Sequence, residues 1–524
     1  MLNCMSPILQ LHRQLSNGLD VVRRSSEGCL RLSSLATKTN LRWACASAAV
    51  SAVLIFAASG QGGGSEPSNL SAESLKAAAP TPKATAKPTP ATPAPTPAPT
   101  AEPAPVVIET APPAPAAPEP EPDTASGPAP LPGTGPNYYV DDVNGNDANP
   151  GTSEAAPWRS LDRASDVTIP PGARLLFRRG GVWAGTLKIE ESGAGSLPVV
   201  IGSYGRGPLP VIQGANDCIV LLGSGIVVAQ MQMQDCWSGV RIPARASSNR
   251  VQDSVLVGNV AGVLVSEGAS DNVIIGNTFQ NNNKMSVNTP GGYDDSGAFG
   301  VLLNGDRNEV AYNHISGSDA FSYDYGRDGA AVEIYKGQGN SIHHNVAVDN
   351  HAFSELGDPR TRDNTFGYNL VLSSLADSTF LVTRGGQDGR GPVANTRLFN
   401  NTVVMSGPGS QGFVCHGGCN SGVLTMRNNI IQAVLKAGYA DGAFDEDYDF
   451  YGGGITQFPL GPHSGVGNPM FNNPSGGDFH LAGGSPAIDS GIDMGYGADL
   501  EGRSVPRDGN GDGFAVADRG AFES

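Results

Sequence analysis

The dominant pattern in this chain is an apolar residue followed three positions later by Asn or Ser. Seven segments share it, with Val251, Ile274, Val310, Ile342, Phe366, Leu398 and Met426 as the apolar members. Their partners are Ser254, Asn277, Asn313, Asn345, Asn369, Asn401 and Asn429. Two positions after each partner stands another apolar or small residue: Leu256, Phe279, Ile315, Ala347, Val371, Val403 and Ile431. Successive partners are 23, 36, 32, 24, 32 and 28 residues apart. Such spacing fits a solenoid coil carrying loops of varying length, not a helical repeat of fixed length. Asn at a bend satisfies backbone groups and tolerates left-handed geometry, so stacked coils would align these amides in a hydrogen-bonded ladder.

A second strand precedes most bends, as in Gly262-Val263-Leu264-Val265, Gly300-Val301-Leu302-Leu303 and Ala331-Val332-Glu333-Ile334. Alternation sends Val332 and Ile334 inward and Glu333 and Tyr335 outward, so successive coils stack their outward residues on one external face. The predicted fold class is all-β, a right-handed parallel β-helix preceded by a disordered Pro-rich linker.

Composition agrees: 70 glycines and few helix-favouring runs suit short strands and turns. A net charge of -17 leaves no basic stripe for phosphates and argues against nucleic acid as a partner. It leaves room for an anionic sugar at a local Arg/Lys cluster.

Residues 44–58 (ACASAAVSAVLIFAA) form a short apolar run, preceded by six Lys/Arg and two acidic residues. The run suits a signal peptide better than a membrane span, with cleavage expected near Ser59. From Pro80 to Pro136 there are 20 prolines in 57 residues, a composition that cannot bury a core and acts as a spacer. The expected organisation is a leader with signal or anchor (1–59), a disordered Ala/Pro/Thr-rich linker (60–136), the β-helix (137–480) and a C-terminal segment (481–524). The protein is expected outside the cell or tethered to its surface, a monomer touching membrane only through its N-terminal segment. Cys218, Cys236, Cys415 and Cys419 follow the export segment, an even number compatible with two disulfides. Cys415-His416-Gly417-Gly418-Cys419 reads as a small stapled loop; a zinc site would lack a second ligand pair.

The opening YYVDDVNGNDANPGT…PWRSL, followed by PGARLLFRRGGVW and PVVIGSYG, resembles the N-terminal coils of secreted bacterial members of the pectate-lyase-like right-handed parallel β-helix superfamily. The end, Ser485-Pro486-Ala487-Ile488-Asp489-Ser490-Gly491 with Asp499–Arg503 and Asp518–Glu523, is similar to the choice-of-anchor segment of such proteins. The resemblance covers nearly all of residues 137–524. It implies a polysaccharide substrate or ligand, and it specifies fold better than activity, because lyases, hydrolases, epimerases and surface binders share the scaffold.

Candidate chemistry lies on the outward face of residues 331–417. Polysaccharide lysis or C5-epimerisation of a uronate needs a base beside the carboxylate and positive charge to stabilise the anion. Lys336 is the candidate base, with Arg360 and Arg384 as neighbours that lower its pKa and, with Arg362, hold the carboxylate. Arg384 is expected at the strand position Lys336 holds in its own coil. Tyr335 or His344 would supply the proton to the leaving oxygen. Hydrolysis is the rival and needs two carboxylates, from Glu333 with Glu355 or Asp324 with Asp328. Glu355, Arg362, His416, Tyr323 and Tyr325 are the substrate-binding candidates, the tyrosines as sugar-stacking platforms on long loops that also carry Tyr293, Asp294, Asp295, Arg327 and Asp328. The plainer reading makes Lys336, Arg360 and Arg384 solvated ion pairs with Glu333 and Glu355. A non-catalytic glycan-binding surface protein is the remaining class. Oxygen ligands at alternate positions of Asp508-Gly-Asn510-Gly-Asp512-Gly, completed by Asp518, suit Ca²⁺; an acidic turn is the alternative.

Overall fold

The structure, a computed structural model, describes residues 131–524. The leader, the signal segment, most of the linker and Cys4, Cys29 and Cys45 lie outside the described residues. Among the described residues no helix is long and apolar enough to cross a membrane.

Each coil contributes three short strands. One runs Glu309–Ala311, His314–Ser316 and Ala330–Tyr335; the next runs Ser341–His343, Val346–Val348 and Ala352–Gly357; a third runs Thr365–Gly367, Leu370–Ser373 and Thr379–Arg384. Equivalent strands pair in parallel and in register from coil to coil. The first strands make a 12-stranded sheet. The second and third make two rows that join where the long strands Ile430–Ala440 and Phe450–Gln457 span both. This is the right-handed parallel β-helix expected from the repeat, with one short α-helix among the described residues, Leu161–Ser165, in its first turns.

The sequence pattern explains the bends. Val251, Ile274, Val310, Ile342, Phe366, Leu398 and Met426 are all fully buried in the axial core. The residue before each Asn or Ser partner has left-handed φ: 47° at Asp253, 65° at Gly276, 54° at Tyr312 and His344, 51° at Tyr368 and Asn400, and 58° at Asn428. For a non-glycine residue that conformation costs about 1 kcal/mol, and the ladder offsets it. The backbone N–H of Ser254 donates to Asn277 Oδ1 (3.1 Å), and the series continues through Asn313 (2.9 Å), Asn345 (3.0 Å), Asn369 (3.0 Å), Asn401 (3.2 Å) and Asn429 (3.0 Å) to Asp449 (2.7 Å). A second ladder runs from Asn249 through Asn272, Asn308 and Asn340 to Asn364.

Disulfides join Cys218 to Cys236 and Cys415 to Cys419, so the second pair staples a small loop. The hairpin Phe471–Asn473 with Asp478–Leu481 follows the last coil, and from there the C-terminal segment takes an irregular course against the second strand row. Phe479, Ala521 and Phe522 pack on Leu370 there, and Leu481 and Ala487 pack on Ile430 and Phe450. The terminal motifs noted in the sequence build this packing. Asp518 accepts the N–H groups of Asp489 (2.7 Å) and Ser524 (2.8 Å), and Arg519 donates to the carbonyls of Asp449 (3.2 Å) and His463 (2.8 Å).

Candidate active site

Register decides which outward residues meet. Glu333 pairs with Glu355 on the adjacent strand, and Tyr335 pairs with Gly357. Glu355 pairs in turn with Val382, which places Arg384 in line with Gly357 and Tyr335, and Arg384 pairs with His416. Arg384 therefore occupies the position of Tyr335, not that of Lys336 as expected from sequence.

Gly357 is what allows this arrangement. A Cβ there would lie 2.4 Å from the Tyr335 ring. Without it the ring leans across the strand, and the Tyr335 hydroxyl donates to Glu355 Oε1 at 3.1 Å. Arg384 donates from Nη1 to the same hydroxyl at 3.0 Å and from Nη2 to Glu355 Oε1 at 2.6 Å. Arg384 is only 4% exposed, so this is not a solvated surface pair. Burial works against its charge, but Glu355 and Tyr335 outweigh that and push its pKa up. The Tyr335 phenol is pushed well above its usual range by burial and by the charges of Glu355 and Glu333.

Two further carboxyls face this pair. Burial, then the charges of Glu355 and Asp328, holds the Glu333 pKa well above the carboxylate range. Burial, then Glu355, pushes Asp328 up to about 7. The site thus sets an ion-paired carboxylate beside carboxyls that favour the protonated state, the division of labour that general acid catalysis requires.

The long loops stand beside the cluster. One carries the hairpin Ala320–Ser322 with Gly326–Asp328, the other the hairpin Met285–Val287 with Ser296–Gly297. Asp295 ties them by accepting from Ser322 Oγ (2.7 Å), the Asp324 N–H (3.0 Å) and the Thr289 N–H (2.7 Å). Arg390, from the loop after Arg384, reaches the tyrosines: its Nη2 donates to the Tyr325 hydroxyl (3.2 Å) and the Tyr293 carbonyl (3.0 Å). Its positive charge acts on Glu333, Tyr335 and Asp328. Sequence reasoning missed Arg390; only the loop's path across the coils reveals it. Tyr293, Phe321, Tyr323 and Tyr325 remain exposed on these loops.

Other candidates go elsewhere. The Lys336 ammonium pairs with Glu267 (3.0 Å), which follows a strand two coils toward the N-terminus, whereas Arg384 lies two coils the other way. Arg360 is a neighbour of Lys336, but its guanidinium binds Asp306 (2.6 Å) and the Lys336 carbonyl. Arg362 is exposed at a corner and pairs with Asp363 at 3.5 Å. Arg327 is drawn to Asp319. His416 stands beside Arg384 and 3.6 Å from Asp388. His344 is not near Tyr335: it is stacked between Tyr312 (4.8 Å) and Tyr368 (5.4 Å) at the bends of the first face, its Nε2 3.2 Å from the Ala498 carbonyl.

At the expected calcium loop, Asp508 Oδ1 and Oδ2 accept the N–H groups of Gly511 (2.7 Å) and Gly513 (2.9 Å), and Asn510 and Asp512 likewise accept N–H groups of their own turn. Asp518 is buried in the C-terminal network. Among the described residues the carboxylates that lie within 4.8 Å of one another and suit a metal are Asp294, Asp295 and Asp324, on the tyrosine-bearing loops.

The strand pairing defines a right-handed parallel β-helix protein with a cluster of ionisable side chains on one outward face. No protein-family model matches the chain. A stretch of 76 residues, 14% of the chain, is 38% identical to a lacto-N-biosidase of Bifidobacterium longum subsp. longum, and it spans 5% of that protein. Among solved structures, the GH136 lacto-N-biosidase from Eubacterium ramulus aligns over 63% of this chain and 67% of its own, at 13% identity and a TM-score of 0.45. Pectate lyase Pel9A aligns over 74% and 96%, at 14% identity and a TM-score of 0.47. These structural likenesses are distant and add nothing to what the strand pairing itself shows.

Proposed function

We propose that the protein is a carbohydrate-active β-helix enzyme that hydrolyses glycosidic bonds with Glu333 and Glu355. The observation that carries this reading is the in-register pair itself, one member ion-paired to Arg384 and the other pushed toward the protonated state. Glu333 protonates the departing oxygen as Glu355, its orientation held by Arg384 and Tyr335, attacks the anomeric carbon; Glu333 then takes a proton from the water that displaces Glu355 and frees the sugar. Strands in a ladder stand about 4.8 Å apart. Side chains in register at that spacing match the shorter carboxyl separation, about 5–5.5 Å, of enzymes that form a glycosyl intermediate and retain configuration. The acidic surroundings favour a neutral glycan over a uronate polymer. The local likeness to a lacto-N-biosidase supports a glycan substrate.

A second reading, lysis or epimerisation of a uronate, finds support in the Arg384–Tyr335 contact, where a phenol beside a guanidinium could exchange a proton next to a carboxylate. Lys336 has no part in it. One assay separates the readings, run on panels of neutral and uronate polymers. Hydrolysis yields new reducing ends with no ultraviolet-absorbing unsaturated product, lysis yields both together, and epimerisation yields neither. Unsaturated product from a uronate polymer would overturn the hydrolytic proposal.

A further inference from the structure

A cavity of about 630 Å³ opens on the flank of the β-helix, between the second strand row and the C-terminal segment. It lies on a different strand row from Glu333 and Glu355, and the proposed chemistry makes no use of it. Its floor is apolar, formed by Val346, Leu370, Phe479, Leu500 and Phe522. Its wall is the ring of Tyr312, which is 48% exposed and backed by His344, itself backed by Tyr368. This three-ring stack is a product of the coil, because each ring sits at the left-handed residue before a ladder Asn. Its rim is polar: His480 Nδ1 lies 2.7 Å from Asp478 Oδ1 and its Nε2 3.1 Å from Glu501 Oε2, and Glu501 also meets Arg503 at 2.8 Å.

We infer that this cavity binds a sugar ring of a neutral glycan, as a site separate from the cluster that carries Glu333 and Glu355. The volume falls in the range of small-ligand pockets, about 300–1,000 Å³. An aromatic wall and apolar floor suit the C–H face of a pyranose. Carboxylates on the rim are acceptors that suit its hydroxyl groups. The same carboxylates, on a chain of net charge -17, disfavour uronates, sulfated sugars and phosphates. A purely apolar ligand would gain nothing from the rim.

The test titrates cellohexaose, chitohexaose and maltoheptaose by calorimetry into the full-length protein carrying Glu333→Gln, so that no ligand is hydrolysed, with Tyr312→Ala and His480→Gln added singly in parallel. Both variants are compared with their Glu333→Gln parent for melting temperature, since Tyr312 is half exposed and its loss should leave the ladder intact. The expected result is saturable binding of at least one oligosaccharide, weakened about tenfold by either change, as the loss of one aromatic stack or one polar contact gives. Unchanged affinity in both variants would assign the binding to another surface. Absence of saturable binding by all three would likewise overturn the inference. Neither readout depends on catalysis, so failure here is distinct from failure of the hydrolytic reading.

Discussion

At the residue scale, the outward face of the β-helix sorts its charges into two networks. Lys336, Arg360, Glu267 and Asp306 form a half-exposed lattice of ion pairs of the kind that contributes little to stability. Arg384, Tyr335 and Glu355 form a sheltered set with Glu333 and Asp328 against it. Lys336→Ala should therefore leave activity within about twofold of wild type and change stability by less than about 1 kcal/mol. Arg384→Ala strips the partly exposed Glu355 carboxylate of its buried partner, and it should lower kcat about a hundredfold or more and cost about 2 kcal/mol in a urea titration. The reverse ranking would return the chemistry to Lys336. All the members of the sheltered set were legible in the sequence as outward, ionisable residues, and the Glu333–Glu355 pair was among the carboxylate pairs it offered. Their grouping was not legible. Arg384 was taken one position out of register because strand ends shift with a left-handed residue such as Lys336, whose φ is 78°. Arg390 sits in a loop whose path across the coils has no periodic signal.

At the element scale, the bend is the unit of the fold, and it was the part most plainly written in the sequence. An apolar residue, a two-residue gap and an Asn recur because the apolar side chain must enter the core just before the chain turns. The amide then takes over the hydrogen bonds the turn leaves open. Asn345 accepts the backbone N–H and the Nδ2 of Asn313 and donates to the Val310 carbonyl, all within 2.9–3.0 Å. Asn345→Ala orphans at least two buried groups, each worth about 1–3 kcal/mol, so a loss of about 2–4 kcal/mol is expected in equilibrium unfolding. Ser254 begins its ladder and accepts the Met231 N–H only at 3.3 Å, so Ser254→Ala should cost less. Equal costs at the two positions would show that the ladder is not cooperative along the stack. What the repeat did not reveal is the left-handed residue ahead of each Asn, since Asp, Gly, Tyr, His and Asn all fill it. That freedom is what admits the Tyr312–His344–Tyr368 stack.

At the scale of the whole molecule, the coils and the C-terminal segment bury several acids that prefer to be neutral. Asp328 is pushed up to about 7 by burial and Glu355, and Glu523 up to about 8 by burial and Asp518. A carboxyl whose pKa is raised in the folded state contributes stability below its unfolded pKa and loses it as pH rises through the folded value. Three histidines act in the opposite sense: burial lowers the pKa of His314, His343 and His344, which costs stability only as pH falls below about 6.5. The exposed aspartates with lowered pKa act only near and below their ordinary value of 3.8. Among the described residues the raised carboxyls act between about pH 6.5 and pH 9, and the urea midpoint should fall across that window. Asp328→Asn should reduce the fall, and a midpoint that rises with pH would contradict the burial of these acids. Deprotonation of Glu333, whose pKa burial and the charges of Glu355 and Asp328 raise, removes the acid form needed for leaving-group protonation, so turnover should decline on the alkaline side.

The measurement that bears most directly on this account is release of reducing ends from a neutral glycan panel by wild type, Glu333→Gln and Glu355→Gln, each shown to be folded by its melting transition. The account predicts release by the wild type and a loss of about a thousandfold in both variants. An aryl glycoside with a good leaving group should restore turnover to Glu333→Gln alone, because only that variant lacks the acid. Full activity in either folded variant would contradict the assignment of Glu333 and Glu355 as the hydrolytic pair.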